Sequence, residues 1–300
     1  MSEGLKGLGQ GFVEAQVGFV VAHQQADGGF AGRLGGSDLY YTDFALRILT
    51  LLAPQHPAIP RAGQYLSRQD CIPRDLVECF SILNANRLLL RCNHAVVIHE
   101  PAVRDRIGRY LLPFGGLTRT PGNPNISAYN TFLGALCYAC MQMEMPLAPG
   151  AVQAVMDLRR PDLGFAEMPG QGCAQTNATA AAAGFLGLCD ALSEDLIAAI
   201  TQYLASMQTP AGGLRAHAAV ADGDLLSTFT GLLTLATFEQ LNRVDVAAVA
   251  RFIRSTACSS GGFRACAMGD DPDIEYTYYG LGSLALMRLH GQSQLSPRQA

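Results

Sequence analysis

The stretch Gln25-Ala26-Asp27-Gly28-Gly29-Phe30 returns in modified form along the chain, and this recurrence decides the fold. The clear copies of its glycine turn are Gly28-Gly29-Phe30, Gly115-Gly116-Leu117, Leu163-Gly164-Phe165, Gly212-Gly213-Leu214 and Gly261-Gly262-Phe263. The last four copies are spaced by about 48 residues, a period typical of repeat proteins. The longer first gap leaves room for one more unit, and Gln69-Asp70-Cys71-Ile72-Pro73 fits there as a degenerate copy. The spacing therefore predicts six units.

A second mark follows each glycine turn: a small polar residue, three others, and then usually Thr. The copies are Asp38…Thr42, Asp75…Cys79, Ser127…Thr131, Gln175…Thr179, Asp224…Thr228 and Asp273…Thr277. An Asp or Ser side chain accepts from the free N–H groups of a first helical turn, so each copy predicts a helix start. The segments before the glycine turns, such as 12–25, 62–69 and 200–208, are helix-like, with the glycine expected as a left-handed C-cap.

Each unit is thus predicted to be a pair of helices joined by a glycine turn. The second helix of each pair is apolar on all sides, so we expect it to be buried beneath the first. Six such pairs either stack into an open array or close into an all-α ring, an α/α toroid (α6–α6 barrel), and we favour closure. The predicted repeats are about 8–52, 58–92, 101–143, 149–190, 193–240 and 243–289, within a single domain, 1–300.

Composition narrows the functional classes. Only 15% of residues are charged, 49% are hydrophobic and the net charge is −4. Disorder is excluded by this hydrophobicity, and nucleic-acid binding is not expected without a basic excess. The longest uncharged stretches contain Asn or Gln, so we expect no transmembrane segment. The nine cysteines are an odd number in a long chain, so a disulfide scaffold is not expected and the cytoplasm is the expected location.

The stretch 25–33, followed by Ser37-Asp38-Leu39-Tyr40-Tyr41-Thr42, resembles the repeat of the prenyltransferase and squalene-cyclase superfamily. The most similar branch is the β subunit of protein prenyltransferases, particularly the Rab geranylgeranyl type. The resemblance covers about residues 20–290. It implies an α6–α6 barrel whose apolar funnel holds an isoprenoid diphosphate, beside a Zn²⁺ ion that activates a Cys thiolate. It also implies an α-type helical subunit or an acceptor protein as partner.

The zinc ligands that the resemblance implies are only partly present. The first ligand position matches Asp224, whereas the other two are occupied by Leu226 and Tyr276, which are poor ligands for zinc. Shifting the register by two adds Asp222 but provides no thiolate and no His. The sequence therefore keeps the predicted barrel with a degenerate zinc site.

Arginines follow four of the glycine turns and are candidates for diphosphate binding, together with a nearby His. They are Arg33, Arg119, Arg215, Arg264 and His217. Guanidinium groups bind phosphate oxygens in pairs of hydrogen bonds, and in a toroid these turns lie at one rim. The equally weighted alternative is that each Arg stabilises its own loop or pairs with an Asp of the next unit.

Side chains of the first inner turns are expected to line the funnel mouth; these are Tyr40, Tyr41, Tyr129 and Gln175. Their rings suit both a hydrocarbon chain and a carbocation. For any single tyrosine, ordinary packing in a helical core is at least as good an explanation.

The acidic stretch Asp273-Ile274-Glu275-Tyr276-Thr277 resembles, in its first and last places, the Asp-x-Asp-Asp-Thr motif of class II terpene cyclases. A buried carboxylic acid with a raised pKa can protonate a double bond, so Glu275 or Asp273 is the candidate acid. Asp224, Tyr276, Glu275 and Asp273 are the catalytic candidates. Three functions stay open: prenyl transfer from an isoprenoid diphosphate, cyclisation started by Glu275 or Asp273 as the acid, and a non-catalytic toroid that binds a lipid or a partner.

Overall fold

The structure is a computed structural model that describes residues 1–68, 72–94, 96, 98–146, 150–269 and 271–295. Six helices form an inner layer: α3 (Leu39–Leu52), α5 (Leu76–Arg91), α7 (Ala128–Cys140), α9 (Thr176–Leu188), α11 (Leu225–Thr237) and α13 (Ile274–Leu295). Six others form an outer layer: α2 (Gln10–Val21), α4 (Ala58–Leu66), α6 (Glu100–Gly108), α8 (Gly150–Met156), α10 (Glu194–Ser206) and α12 (Val246–Thr256). A short helix, α1 (Ser2–Leu5), precedes both layers.

The inner layer closes on itself. Each inner helix packs against the next one along the chain, and α13 packs against α3. The last glycine turn also meets the first outer helix, because Gly261 lies against the backbone of Ala15 in α2. The predicted all-α toroid is therefore confirmed.

The polar residue at the start of each inner helix acts mostly as predicted. Asp38, Asp75, Ser127 and Asp224 each accept a hydrogen bond from a backbone N–H of the first turn, whereas the Gln175 side chain makes no such bond. These caps explain why the helices begin where they do, since the first four N–H groups have no partner within the helix.

The Thr that follows each cap by four residues has a further role. The Oγ1 atoms of Thr42, Thr131, Thr179, Thr228 and Thr277 accept from the backbone N–H of the residue directly after the glycine turn, at 2.8 to 3.1 Å. Each bond holds a loop against the first turn of its inner helix. This places all described rim loops at the same end of the barrel, which we call the upper end.

The glycines are not the C-caps that we expected. Helix α10 ends at Ser206 and α12 at Thr256, several residues before Gly212 and Gly261. Gly212 and Gly261 have φ of 104° and 96°, and a Cβ there would lie 2.1 and 2.2 Å from a carbonyl oxygen of the next outer helix. Glycine is required because it allows both the positive φ and the close approach of two backbones.

Part of one predicted unit lies outside the described residues. Gln69, Asp70 and Cys71 of the degenerate copy are in this group, as is Asp270 of the acidic stretch. Within the described chain, no helix is both long enough and apolar enough to cross a bilayer.

Candidate active site

A cavity of about 930 Å³ occupies one side of the barrel interior, along α7, α9 and α11. Its upper end is polar and is lined by Tyr40, Asp75, Arg119, Tyr129, Asn130, Glu167, Gln175, Asn177 and Glu275. Its lower end, at the C-termini of α9 and α11, is lined by Gly187, Leu188, Leu192, Leu233, Thr237 and Phe238. The cavity thus joins a polar rim to an apolar end.

The small residues of α9 make this space. The helix sequence contains a run of four alanines followed by Gly184, and the wall between the two ends is formed largely by Ala178, Ala181, Ala183 and Gly184. A wall of Cβ atoms and bare backbone leaves the volume that larger side chains would otherwise fill. The composition of α9 therefore explains why the cavity lies on this side of the barrel.

The opposite side of the interior, between α3, α5 and α13, is filled by aromatic rings. Phe44 lies 5.5 Å, between ring centroids, from both Tyr278 and Tyr279, and it meets both nearly edge to face. Phe229 of α11 stacks on Tyr279 at 5.4 Å. Such pairs are favourable beyond the area that they bury. Tyr279 also lines the cavity, so the aromatic cluster forms one of its walls.

A buried ion pair lies within this filled half. Asp43 pairs with Arg47 one turn further along α3 and also accepts from Nδ2 of Asn84 at 2.7 Å. The Arg47 guanidinium lies 4.6 Å from the centroid of the Phe44 ring and 5.2 Å from that of Tyr278. Burial raises the pKa of Asp43, and the Arg47 charge opposes this. Sequence reasoning missed this pair, although two opposite charges four residues apart in an apolar helix were a usable signal.

Glu275 lies on the cavity wall, in the first turn of α13. Its carboxylate accepts from the Tyr279 hydroxyl at 3.1 Å and from the Tyr40 hydroxyl. Burial raises the pKa of Glu275 above its ordinary value of 4.5, while the two tyrosine hydroxyls and Arg33 act in the opposite direction. A carboxyl group with a raised pKa keeps its proton over a wider pH range, as a general acid requires.

Two further carboxyl groups, those of Asp75 and Glu167, line this upper end together with the guanidinium group of Arg119. Asp75 caps α5, and Arg119 is exposed on its loop. Glu167, which the sequence reasoning missed, accepts from the Ser127 hydroxyl and, at 3.1 Å, from the Tyr129 N–H. Burial raises the pKa of Glu167 as well. The signal for Glu167 was its place just after the glycine turn Leu163-Gly164-Phe165, where other units carry Arg.

Asp273, the other candidate acid, is already hydrogen-bonded and ion-paired to other groups. It accepts from the Glu275 N–H at 2.8 Å and from the Tyr41 hydroxyl at 3.2 Å, and it pairs with the Arg33 guanidinium at 3.4 Å. It is 1% exposed and does not line the cavity. Asp273 therefore holds the start of α13, and with it Glu275, in place.

The residues at the zinc positions do not fit a zinc ion. The two carboxylate oxygens of Asp224 accept from the N–H and the hydroxyl of Ser227, both at 2.8 Å. Leu226 has no donor atom, Tyr276 lies on α13 with its pKa raised by burial, and Asp222 is exposed on the loop. Throughout the described ranges, no three His, Cys, Asp or Glu side chains come together as a metal site. Zinc needs at least three such ligands, so these residues do not form a zinc site.

The structure places only one of the predicted diphosphate-binding arginines at the cavity. Arg119 lines it, whereas Arg33 pairs with Asp273, and Arg215 reaches the carbonyl of Ser206 on the outer helix α10 at 3.5 Å. Arg264 and His217 lie partly buried on the rim loops and do not line the cavity.

The predicted funnel residues are likewise divided. Tyr40, Tyr129 and Gln175 line the cavity, and Tyr41 turns to Asp273. The phenol of Tyr129 is neutral at ordinary pH, because a tyrosine ionises only at about pH 10, and it can donate a hydrogen bond. Three tyrosine rings, those of Tyr40, Tyr129 and Tyr279, thus surround the site next to Glu275.

Comparison with known proteins identifies one family. The prenyltransferase alpha-alpha toroid domain matches residues 11–101 and 132–299. No curated protein sequence matches the chain.

Solved structures share the fold at low identity. A variant of the type II terpene cyclase MstE from Scytonema, in complex with geranylgeranyl dihydroxybenzoate, is 16% identical with a TM-score of 0.62, over 92% of this chain and 96% of that one. The Candida albicans protein geranylgeranyltransferase-I complexed with GGPP is 16% identical with a TM-score of 0.51, over 88% and 70%. The GH76A alpha-1,6-mannanase from Salegentibacter sp. HEL1_6 is 12% identical with a TM-score of 0.64, over 93% and 98%. At these identities the likeness shows the fold alone.

Proposed function

The chain belongs to the prenyltransferase alpha-alpha toroid domain family, and from that premise we propose that it binds a linear isoprenoid in its cavity and protonates one of the double bonds with Glu275. The observation that carries the proposal is the carboxyl of Glu275, half-buried on the cavity wall with a raised pKa and two tyrosine donors. Two structural neighbours are complexes with geranylgeranyl dihydroxybenzoate and with GGPP, which supports this class of substrate.

The reaction follows from the surroundings of Glu275. Its acidic proton passes to one carbon of the double bond, and the positive charge develops on the other carbon. Tyr40, Tyr129 and Tyr279 line the cavity beside Glu275, and aromatic rings in such positions stabilise a carbocation through the negative potential of their faces. Attack by a second double bond of the chain closes a ring, and loss of a proton from the final cation balances the equation.

The charges at the upper end favour this chemistry over ionisation of a diphosphate. Asp75, Glu167 and Glu275 line the cavity there, and Arg119 is the cation among the lining residues that the structure describes. Carboxylates in these positions repel a diphosphate, which would otherwise need several cations to stabilise its leaving charge.

Prenyl transfer from a diphosphate is the second candidate, and a specific observation favours it. The Nε atoms of Arg215 and Arg264 and the Nδ1 atom of His217 are buried without hydrogen-bond partners. Unpaired buried donors on neighbouring rim loops suit an anion. This function, in the form of the Rab geranylgeranyl β subunit, would also require an activated thiol acceptor and a partner subunit.

Incubation with linear isoprenoids of different lengths, followed by mass-spectrometric product analysis, tests the proposal. Glu275→Gln keeps the shape but removes the proton, so we expect product formation to fall by about 100-fold or more. The control is Glu14→Gln on the outer helix α2, where Glu14 is exposed and hydrogen-bonded to Gln10. An unchanged product profile in Glu275→Gln would reject the acid role, and products from diphosphates alone would favour transfer.

A further inference from the structure

Among the described residues, the cavity is lined by solvent-exposed groups at both ends. At the upper end, the lining residues Arg119 and Tyr129 are exposed to solvent. At the lower end, Gly187 and Thr237 are exposed and Leu188 retains 57% of its accessible surface. Between the two ends, Ala181 and Ala183 are 4% exposed. Within the described part of the chain, the cavity therefore runs through the barrel as a channel.

The two openings differ in chemistry. The acid of the proposed reaction, Glu275, lies at the upper end with Asp75 and Glu167. At the lower end the described lining residues are apolar apart from the Thr237 hydroxyl, and none carries a charge. A double bond that is to be protonated must therefore lie at the upper end, since no acid lines the lower one.

The length of the channel limits the length of the isoprenoid that it can hold. On α9 the lining residues extend from Asn177 to Leu188, which is about 16 Å at 1.5 Å per residue. An extended chain advances about 1.1 to 1.2 Å per main-chain bond, judging from the 3.3–3.6 Å that three bonds of a peptide span. The channel thus accommodates about 14 main-chain bonds, or between three and four isoprene units of four bonds each.

We propose that a linear isoprenoid of about four units threads through the channel tail first from the lower opening, with its head group outside the barrel beyond Leu188. This inference rests on the proposed function and adds the direction of binding. The terminal double bond then reaches Glu275 and the tyrosine rings, and the apolar chain covers the Ala and Gly wall of α9. In the opposite direction, a polar head group would meet three carboxyls and the terminal double bond would lie far from any acid.

The absence of tryptophan from the sequence gives a direct test. Leu188→Trp and Tyr129→Trp each place a single fluorophore at one opening, both at exposed positions. The probe is a geranylgeranyl chain with a nitroxide as its head group, because a nitroxide quenches fluorescence only at short range. We expect saturable loss of most of the fluorescence in Leu188→Trp and little loss in Tyr129→Trp. A second probe, with the nitroxide on the terminal isoprene unit, should reverse this pattern.

The possible outcomes distinguish the direction in which the isoprenoid binds from binding itself. Quenching by the head-group probe that is stronger in Tyr129→Trp, or equal in both variants, would overturn tail-first threading while leaving isoprenoid binding in place. If neither probe quenches either variant in a saturable manner, the proposed function itself is contradicted.

Discussion

The two halves of the barrel interior are built from the same repeat, yet one is packed and the other is hollow. Between α3, α5 and α13, rings and a buried ion pair fill the space around Phe44 and Arg47. Along α7, α9 and α11, alanine and glycine leave a cavity of about 930 Å³. The caps and Thr hydrogen bonds of the rim are shared by both halves. The difference therefore lies in side-chain volume at inner positions and not in the backbone.

This contrast shows where stability and function reside in the toroid. A well-packed interior loses several kcal/mol when a large side chain is removed, whereas a wall facing an open channel has less to lose. We expect substitutions in the filled half to act on folding and those in the open half to act on ligand binding. The predictions below test this division.

The largest effect is expected from the buried ion pair. Asp43→Ala leaves the Arg47 charge without its partner in the interior, which should cost about 3–5 kcal/mol of unfolding free energy. Urea unfolding followed by circular dichroism measures it. The matched control is Asp105→Ala, which breaks an exposed pair of the same i,i+4 spacing with Arg109 and should cost about 0.3–0.5 kcal/mol. Equal costs in the two variants would contradict the assignment of Asp43 and Arg47 to a packed core.

A pair of identical substitutions compares packing in the two halves. Ala45→Leu in α3 forces extra carbons into a site that is 0% exposed and should cost about 1–3 kcal/mol. Ala180→Leu in α9, at a partly exposed position on the cavity wall, places the same carbons in the channel, so its cost should stay below about 1 kcal/mol, near that of a surface change. Thermal unfolding of both variants measures the costs. Binding of a geranylgeranyl chain should weaken in Ala180→Leu alone, and retained binding there would place the ligand elsewhere.

The fold was predictable because its signals are local. A cap and the Thr four residues later act within one helical turn, so their order in the sequence predicts the inner helices directly. The candidate site was predictable only where it lies on those same turns, as for Glu275 and Tyr129. Glu167 joins the site by accepting a hydrogen bond from Ser127, 40 residues earlier in the chain, and Arg215 donates to the carbonyl of Ser206 on α10. Such directions depend on three-dimensional packing, which the repeat pattern does not encode.

The smallest expected change in stability comes from Glu275 and depends on pH. Burial raises the folded-state pKa of Glu275 above its ordinary value of 4.5, so the folded protein binds this proton more tightly than the unfolded chain does. The carboxyl's contribution to stability is therefore fully present below pH about 4.5 and is lost as the pH rises through the raised value. The Glu275→Gln substitution removes the ionisable carboxyl and with it this loss of stability. We expect the variant to have a larger free energy of unfolding than the parent at pH 7, and the difference should disappear toward pH 4. Urea unfolding of both proteins across this range measures the difference. If the variant is more stable by the same amount at every pH, packing is the cause of the difference. If the variant is less stable at pH 7, the tyrosine hydrogen bonds outweigh the desolvation of the charged carboxylate.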